Sequence, residues 1–223
     1  MATASDDGPV SVIAIDGPSG SGKSTVARAV AAALGLPVLE TGAMYRAVTL
    51  RALAEGVPPD DSEALSALAR RLDIDVDDRV RVDGEDVTDA LRRPDVTAAV
   101  SAVAAVPGVR RALVARQREW IARHGGGVVE GRDIGTVVAP DAVLKIYLEA
   151  GEDERARRRQ SQEDLPELEA TRADLRRRDT FDSGRAVAPL AVAADAVVID
   201  TTGRSVDDVV SDVAGRYRAV VAS

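Results

Sequence analysis

A glycine-rich run near residue 20 combines residue types that suit phosphate binding. From Gly17 to Ser24 the sequence reads GPSGSGKS, which fits the pattern G-x-x-x-x-G-K-[ST] at every fixed position. Glycines let backbone N–H groups turn inward around phosphate oxygens, and the following helix presents its positive end to the same anion. Lys23 supplies a compact charge for the terminal phosphates, and Ser24 supplies a hydroxyl for Mg²⁺. The run therefore predicts a site for ATP with Mg²⁺.

The lysine at position 23 strengthens this interpretation. Of the 29 basic residues only Lys23 and Lys145 are lysines, so arginine is the usual cation of this chain. A lysine at this position indicates that a planar guanidinium would not fit. The residues predicted to bind ATP, with Ser24 also predicted to bind the metal, are Gly17, Pro18, Ser19, Gly20, Ser21, Gly22, Lys23, Ser24 and Thr25.

The run leaves alternatives open. A strand-to-helix turn without a ligand is one, and the same loop serves ATPases, GTPases and kinases, so it defines only the phosphate donor. The chain contains no asparagine, so the Asn-Lys-x-Asp element that reads guanine in many GTPases is missing. A GTPase is therefore disfavoured.

Three further clusters are typical of a second anionic substrate. Residues 41–46 read TGAMYR, and their alternative is a capped helix with a partly buried tyrosine. Residues 130–135 read EGRDIG, where burying two acids without partners would be costly; a local Arg–carboxylate pair is the alternative. Residues 176–185 read RRRDTFDSGR, and four arginines lie between residues 155 and 159. These arginines predict a lid over transferring phosphates, with a solvated charged helix face as the alternative.

Composition excludes several other classes of protein. The chain has 223 residues, 45% of them apolar and 2% aromatic, which suits one α/β domain with a core of Val, Ala, Leu and Ile. It has no cysteine, so disulfides and thiol catalysis are ruled out. The net charge of −8 argues against nucleic acid as a partner, and no apolar run predicts a membrane span. We expect a cytoplasmic protein, monomeric by default, whose partners are small-molecule nucleotides.

Hydrophobic patterns predict strands alternating with helices, which implies a parallel sheet covered on both faces and ligands at the carboxyl ends of its strands. Strands are expected at residues 10–16, 38–40, 128–130, 143–148 and 196–200, with a turn at 125–127. Helices are expected at residues 23–34, 41–55 with Thr41 as a cap, 62–72, 109–124, 152–178 with a break near Pro166, and 205–221. The run 73–87 predicts a hairpin around Asp83-Gly84, and Pro94 suits the first turn of a helix.

Four motifs together resemble the bacterial cytidylate kinase family over nearly the whole chain. They are IDGPSGSGKST at 15–25, TGAMYRA at 41–47, GRDIGTVV at 131–138 and GRAVAPL at 184–190. The resemblance implies an α/β fold of three layers, the P-loop NTPase fold, with a five-stranded parallel sheet. It further implies one kinase domain at 10–223, a monophosphate-binding insertion at 60–106 and a helical lid at 152–185. Residues 1–9, which are polar and acidic, are expected to form a disordered tail.

The resemblance also implies an activity, the transfer of the γ-phosphoryl group of ATP to CMP or dCMP. By motif, Ser101, Arg110 and Asp133 would read the cytosine edge, and Thr41 and Tyr45 would line the acceptor pocket. The chain departs from the family pattern with a glutamate at positions 40 and 130, where the family often has aspartate, and with threonine for serine at position 41.

The remaining implied roles concern phosphates and sugar. Arg46 and Arg132 would hold the acceptor phosphate, and Arg178, Asp182 and Arg185 would contact sugar and phosphates. The residues expected to act in catalysis are Lys23, Arg132, Asp133, Arg158 and Arg185. No general base is required, since a phosphate monoester is mostly dianionic at neutral pH. A kinase for UMP or another small acceptor, and a nucleotide-dependent binding module, are the competing hypotheses.

Overall fold

The computed structural model describes residues 11–163, 168–185 and 188–222, and the predicted tail at 1–9 and Pro166 lie outside them. The described helices and strands in chain order are β1 (Ser11–Asp16), α1 (Lys23–Leu34), β2 (Val38–Glu40), α2 (Thr41–Ala54), α3 (Ser62–Arg71), β3 (Ile74–Val76), β4 (Val80–Val82), β5 (Glu85–Asp86), α4 (Pro94–Ala105), α5 (Pro107–His124), β6 (Gly126–Glu130), β7 (Leu144–Glu149), α6 (Glu152–Glu163), α7 (Leu168–Ser183), β8 (Val197–Asp200) and α8 (Val206–Val221). A short 3-10 turn at Ala90–Arg92 and a π-helical turn at Ile134–Val138 complete the set.

Five parallel strands form the central sheet in the order β2-β6-β1-β7-β8, which confirms the predicted α/β fold. The carboxyl ends of β1, β2 and β6 lie at one edge, where Ile15 and Glu40 both pair with Glu130. The loops that follow these strands therefore converge at this edge, as expected of an open parallel sheet.

The core divides into two layers because side chains alternate along β1. Ile13 and Ile15 pack on one face with buried residues of α1 and α8, such as Val30 and Val213. Residues 12 and 14 pack on the other face with buried residues of α2 and α5. Helices thus cover both faces of the sheet, and aliphatic side chains supply most of the core, as the composition indicated.

Residues 60–106 depart from strand–helix alternation. The run β3, β4 and β5 forms a separate antiparallel sheet, with Ile74 paired to Val82. Asp83 and Gly84 both have positive φ, 52° and 82°, and connect β4 to β5, so the predicted hairpin is confirmed. Pro94 begins α4 as predicted.

Two local predictions were wrong. Thr41 does not cap α2, since it is the first helical residue and Glu40 occupies the capping position without a side-chain bond. Residues 126 and 127 are not a turn but the start of β6, because their glycine backbones pair with β1 where a Cβ would collide with it or with Pro37. The side chain of Ser205 caps α8 by accepting the N–H of Asp208.

Among the described residues no single helix is both long and apolar enough to cross a bilayer. Within the described ranges, α4 and α5, which meet at a bend of 94°, are the one pair that reaches the required length and composition when taken together.

Candidate active site

A cavity of about 830 Å³ opens at the carboxyl edge of the sheet. Its walls include the glycine-rich loop, the start of α2, the residues after β6, the 60–106 run and four residues of α6 and α7 with their following turn. The predicted site residues that line it are Ser19, Gly20, Gly22, Lys23, Ser24, Thr25, Thr41, Tyr45, Arg46, Ser101, Arg110, Arg132, Asp133, Arg178, Asp182 and Arg185. Gly17, Pro18, Ser21 and Arg158 are the predicted residues that do not line it.

The glycine-rich loop lies tightly against the sheet. Gly17 has a φ of 150°, and a Cβ there would stand 2.1 Å from the carbonyl oxygen of Leu148, so only glycine fits. The Lys23 ammonium donates to the carbonyl of Pro18 at 2.7 Å. Burial, and then repulsion by Arg132, lowers the pKa of Lys23. A buried cation held over a glycine-rich loop is suited to an incoming polyanion.

Ser24 and Glu130 supply oxygen atoms beside Lys23. The Ser24 hydroxyl donates to Glu130 Oε1 at 3.1 Å, and burial raises the pKa of Glu130. Glu40 lies next to Glu130 in the sheet and is paired with Arg28, whose Nη2 donates to it at 2.9 Å.

These oxygens fit Mg²⁺, which prefers hydroxyl and carboxylate ligands and takes most of its remaining ligands from substrate and water. No group of three or more His, Cys, Asp or Glu able to hold a metal occurs in the part of the chain that the structure describes. Ser24 is the residue that could hold Mg²⁺ here, with Glu130 3.1 Å from its hydroxyl.

The residues after β6 form the opposite wall of the cavity. Thr41 Oγ1 donates to the carbonyl of Glu130 at 2.8 Å and ties α2 to this wall. A Cβ on Gly131 would lie 2.7 Å from that hydroxyl oxygen, which explains the glycine. Thr41 thus holds two walls together in addition to lining the cavity.

Arg110 and Asp133 form a buried ion pair in the wall of the cavity. Their side chains are only 4% and 7% exposed, and Arg110 Nη2 donates to Asp133 Oδ2. The Arg110 guanidinium also lies 5.8 Å from the ring centroid of Tyr45. Burial raises the pKa of Asp133, although Arg110 opposes this shift. The pair offers one donor face and one acceptor face to a planar ligand.

Arg132 connects three parts of the site. Its Nη1 donates to the carbonyl of Gly17 at 2.8 Å, and its Nε donates to Asp182 Oδ2 at 2.8 Å. Asp182 is buried and also accepts from Arg185. The glycine-rich loop, the turn after β6 and the end of α7 therefore meet at one guanidinium.

Arg178 adds positive charge to the wall of the cavity. Its Nε and Nη1 are buried and make no hydrogen bond within the described structure. Burial, followed by repulsion from Arg132 and Arg159, lowers its pKa to about 10. Buried cations that repel one another stabilise the fold poorly, so this cluster is suited to binding an anion.

Arg46 and Arg158 are occupied by protein groups. Arg46 Nη1 donates to the carbonyl of Leu91 and to Thr97 Oγ1, both at 2.9 Å, so it connects α2 to the 60–106 run. Arg158 donates to the hydroxyl oxygen and to the carbonyl oxygen of Thr201, at 2.9 and 2.8 Å.

Sequence reasoning missed two carboxylates near the loop. Asp16 ends β1, and its oxygens accept the N–H groups of Ile134 and Gly135. Asp179 accepts the N–H of Ser19 at 3.0 Å. An acid that closes an otherwise apolar strand is a signal that could have identified Asp16, whereas Asp179 lies in a charged run with no distinguishing pattern.

A family model described as Cytidylate kinase matches residues 13–219. The chain belongs to the cytidylate kinase family. It is 52% identical over 200 residues to a cytidylate kinase of Mycolicibacterium paratuberculosis, covering 86% of this chain and 88% of that one. It is also 50% identical over 222 residues to a bifunctional pantoate ligase/cytidylate kinase of Synechococcus, covering 94% of this chain. The chain spans 41% of the length of that bifunctional relative.

Solved structures support the fold alone. An uncharacterized protein from Eubacterium ventriosum aligns over 94% of this chain and 98% of its own, with a TM-score of 0.55 and 13% identity. At this identity the likeness shows a shared α/β architecture and carries no information on substrate.

Proposed function

We propose that this member of the cytidylate kinase family transfers the γ-phosphoryl group of ATP to CMP and dCMP. One observation carries the proposal: the same cavity holds a phosphate-binding loop on one side and a buried arginine cluster with the Arg110–Asp133 pair on the other. The relatives named above support cytidylate as the acceptor. The partners are small nucleotides, and the net charge of −8 disfavours nucleic acid.

The domain assignment is part of this proposal. Residues 60–106 act as the monophosphate-binding insertion, since Ser101 and Arg92 from this run line the cavity. Residues 152–185 act as the lid, since Arg159 and Arg178 reach the cavity from α6 and α7. A movable lid would exclude water from the transferring group and bring cations to it.

On the donor side, backbone N–H groups of the loop wrap the phosphates of ATP, and Lys23 binds the terminal oxygens. When bound, Mg²⁺ would supply positive charge that offsets the negative charge of the phosphates. Ser24 is the residue that would hold it, with Glu130 3.1 Å from the Ser24 hydroxyl. Substrate binding would turn the Lys23 ammonium away from Pro18, because phosphate oxygens bind a cation more strongly than a carbonyl does.

On the acceptor side, the Arg110–Asp133 pair reads the polar edge of cytosine, with Ser101 beside it. A positive donor and a negative acceptor complement the O2/N3 and N4 edge, whereas uracil reverses the polarity at two of these positions. Tyr45 lies against Arg110 and forms the adjoining wall.

The acceptor phosphate binds where cations converge. Arg132 and Arg178 repel one another, and an entering dianion removes that cost. Asp182 and Arg185 contact the sugar. Arg46 would release its hydrogen bonds to Leu91 and Thr97 and bind the acceptor phosphate as the insertion moves. Arg158 would release Thr201 and bind the transferring phosphoryl group as the lid closes.

Transfer requires alignment more than proton chemistry. A dianionic phosphate monoester is already nucleophilic, so no general base is needed. The protein places the acceptor oxygen in line with the γ-phosphorus and stabilises the spreading negative charge with Lys23, Arg132 and the lid arginines.

The test is a coupled ADP-release assay with ATP, Mg²⁺ and a panel of monophosphates: CMP, dCMP, UMP, AMP and GMP. We expect CMP and dCMP to give diphosphate products with kcat/KM at least about 100-fold above the purine monophosphates. Turnover of UMP in preference to CMP would reassign the acceptor. ADP release that no monophosphate stimulates would overturn the proposal.

A further inference from the structure

Asp16 has two hydrogen-bond partners on the turn that carries the acceptor-side residues. Asp16 Oδ1 accepts the N–H of Ile134 at 2.8 Å, and Oδ2 accepts the N–H of Gly135 at 2.8 Å. The Asp16 residue is 5% exposed. Each carboxylate oxygen is therefore committed to a different amide of one turn.

These two amides begin the π-helical turn Ile134–Val138, directly after Arg132 and Asp133. The first N–H groups of a helical turn have no partner within it, so an external acceptor fixes where the turn starts. An ionised carboxylate is the one side chain that offers two acceptor oxygens and no donor. Asp16 thus defines the starting point of the backbone that presents Arg132 and Asp133.

The next residue extends the same connection. The carbonyl of Gly17 accepts from Arg132 Nη1 at 2.8 Å. Asp16 and Gly17 together make three bonds to residues 132, 134 and 135, and Gly17 is the first residue of the phosphate loop. The donor loop and the acceptor-reading turn are therefore tied at a single point of the chain.

We propose that Asp16 is a positioning residue, whose carboxylate sets Arg132 and Asp133 at the correct distance and angle from the phosphate loop. The inference rests on the proposed function, because it assigns these two residues to the acceptor. Asp16 itself touches neither substrate. Its effect on the reaction passes through the backbone of the turn.

The cost of this arrangement agrees with a functional role. Burial raises the pKa of Asp16 to about 6, with Asp133 adding repulsion, while the two amides and the Lys23 charge act in the opposite direction. A neutral side chain would avoid that penalty if stability were the sole requirement. The chain instead keeps a carboxylate where two amide donors converge.

The decisive variant is Asp16→Asn, which preserves shape but turns an NH₂ group toward one of the two amides. We expect kcat/KM for CMP to fall about tenfold or more, the effect of losing one charge-assisted hydrogen bond, with both a raised KM for CMP and a lowered kcat. The Kd for ATP, measured by calorimetry without CMP, stays within about twofold, since the loop keeps its own glycine geometry.

A second measurement needs no activity. In ¹⁵N-labelled protein the amides of Ile134 and Gly135 exchange slowly in the wild type, and at least one exchanges about tenfold faster in Asp16→Asn. Val213→Ala, a buried change in α8 away from the site, controls for general loss of stability and leaves the CMP kinetics and both amides unchanged.

Two results would overturn the inference. One is an Asp16→Asn variant with CMP kinetics and amide exchange like those of the wild type. The other is an equal loss of ATP and CMP binding, which would make Asp16 a support of the phosphate loop instead. Failure of the proposed function is separate, because it appears as absence of CMP turnover in the wild type.

Discussion

Asp179 of α7 and Ser19 of the phosphate loop are joined by a hydrogen bond of 3.0 Å, with the Ser19 N–H donating to Asp179 Oδ1. Arg155 of α6 pairs with the same carboxylate and donates to the carbonyl of Ser19 at 3.0 Å. The two helices therefore hold both backbone groups of one loop residue. Access to the loop and the position of the helices are coupled through this contact.

Removing the Asp179 carboxylate should expose the Ser19 amide. In Asp179→Ala we expect hydrogen exchange at Ser19 to accelerate about tenfold, since a hydrogen bond to a charged group contributes about 1.5 kcal/mol or more. Asp174→Ala is a matched control on the same helix, because Asp174 pairs with Arg177 at the surface. Equal acceleration in both variants would show that α7 as a whole, and not Asp179, protects the loop.

Lys23→Ala should abolish turnover and leave the fold intact. The ammonium is buried beside the loop, and the loss of one preorganised charge at a developing anion costs about 100-fold or more in kcat. Lys23→Arg should also be inactive, since a planar guanidinium does not fit where Lys23 Nζ lies 2.7 Å from Pro18 O. Steady-state kinetics and thermal unfolding measure the two effects. Substantial activity in Lys23→Ala would contradict the role of this residue.

Variants of the Arg110–Asp133 pair should distinguish its effect on stability from its role in recognising CMP. Arg110→Met leaves a buried carboxylate unpaired and should lower the free energy of unfolding by about 3 kcal/mol. The double variant Arg110→Met/Asp133→Leu should recover most of that loss, because it removes both members of the pair and leaves neither without its partner, yet it should not phosphorylate CMP. Urea unfolding and the coupled assay measure both.

An exposed ion pair provides the reference for this experiment. Arg71→Met removes the partner of Glu55 at the surface and should leave the free energy of unfolding close to that of the wild type, because water and salt screen an exposed ion pair. CMP turnover at the wild-type rate in the double variant would show that Arg110 and Asp133 take no part in substrate recognition.

Asp16 should give the protein a distinctive pH dependence. Its pKa in the folded state, about 6, lies above its ordinary value of 3.8, so the folded state binds this proton more tightly. The group therefore favours folding fully below pH 3.8, and that contribution is lost as pH rises through 6. Relative to the wild type, Asp16→Asn should gain about 2 to 3 kcal/mol in unfolding free energy between pH 4 and pH 7.5.

Urea unfolding of both proteins at the two pH values gives the difference between their unfolding free energies. Because all other titratable groups occur in both proteins, their pH response cancels in this difference. A constant difference across the range would mean that Asp16 titrates at its ordinary value in the folded protein.

The local features were predictable because each depends on neighbouring residues. The glycines between residues 17 and 22, the β-branched run of β1 and the Asp83-Gly84 turn are determined by backbone conformation and short-range periodicity. A prediction that considered only neighbouring residues was wrong where the true partner is distant in sequence. Thr41 was predicted to cap α2, but its hydroxyl donates to the carbonyl of Glu130, 89 residues away.

The sequence by itself determined the glycine-rich loop, the parallel sheet and the edge at which the cavity opens, because glycine sterics and strand periodicity act over a few residues. Only the tertiary structure decided which charges meet: Arg110 with Asp133, Arg132 with Asp182 and Gly17, and Asp16 with two amides 118 and 119 residues away. The chain has 29 basic and 37 acidic side chains, and the members of each set are chemically alike. Which cation pairs with which carboxylate therefore depends on how the helices rotate and pack against the sheet, and no local pattern specifies this.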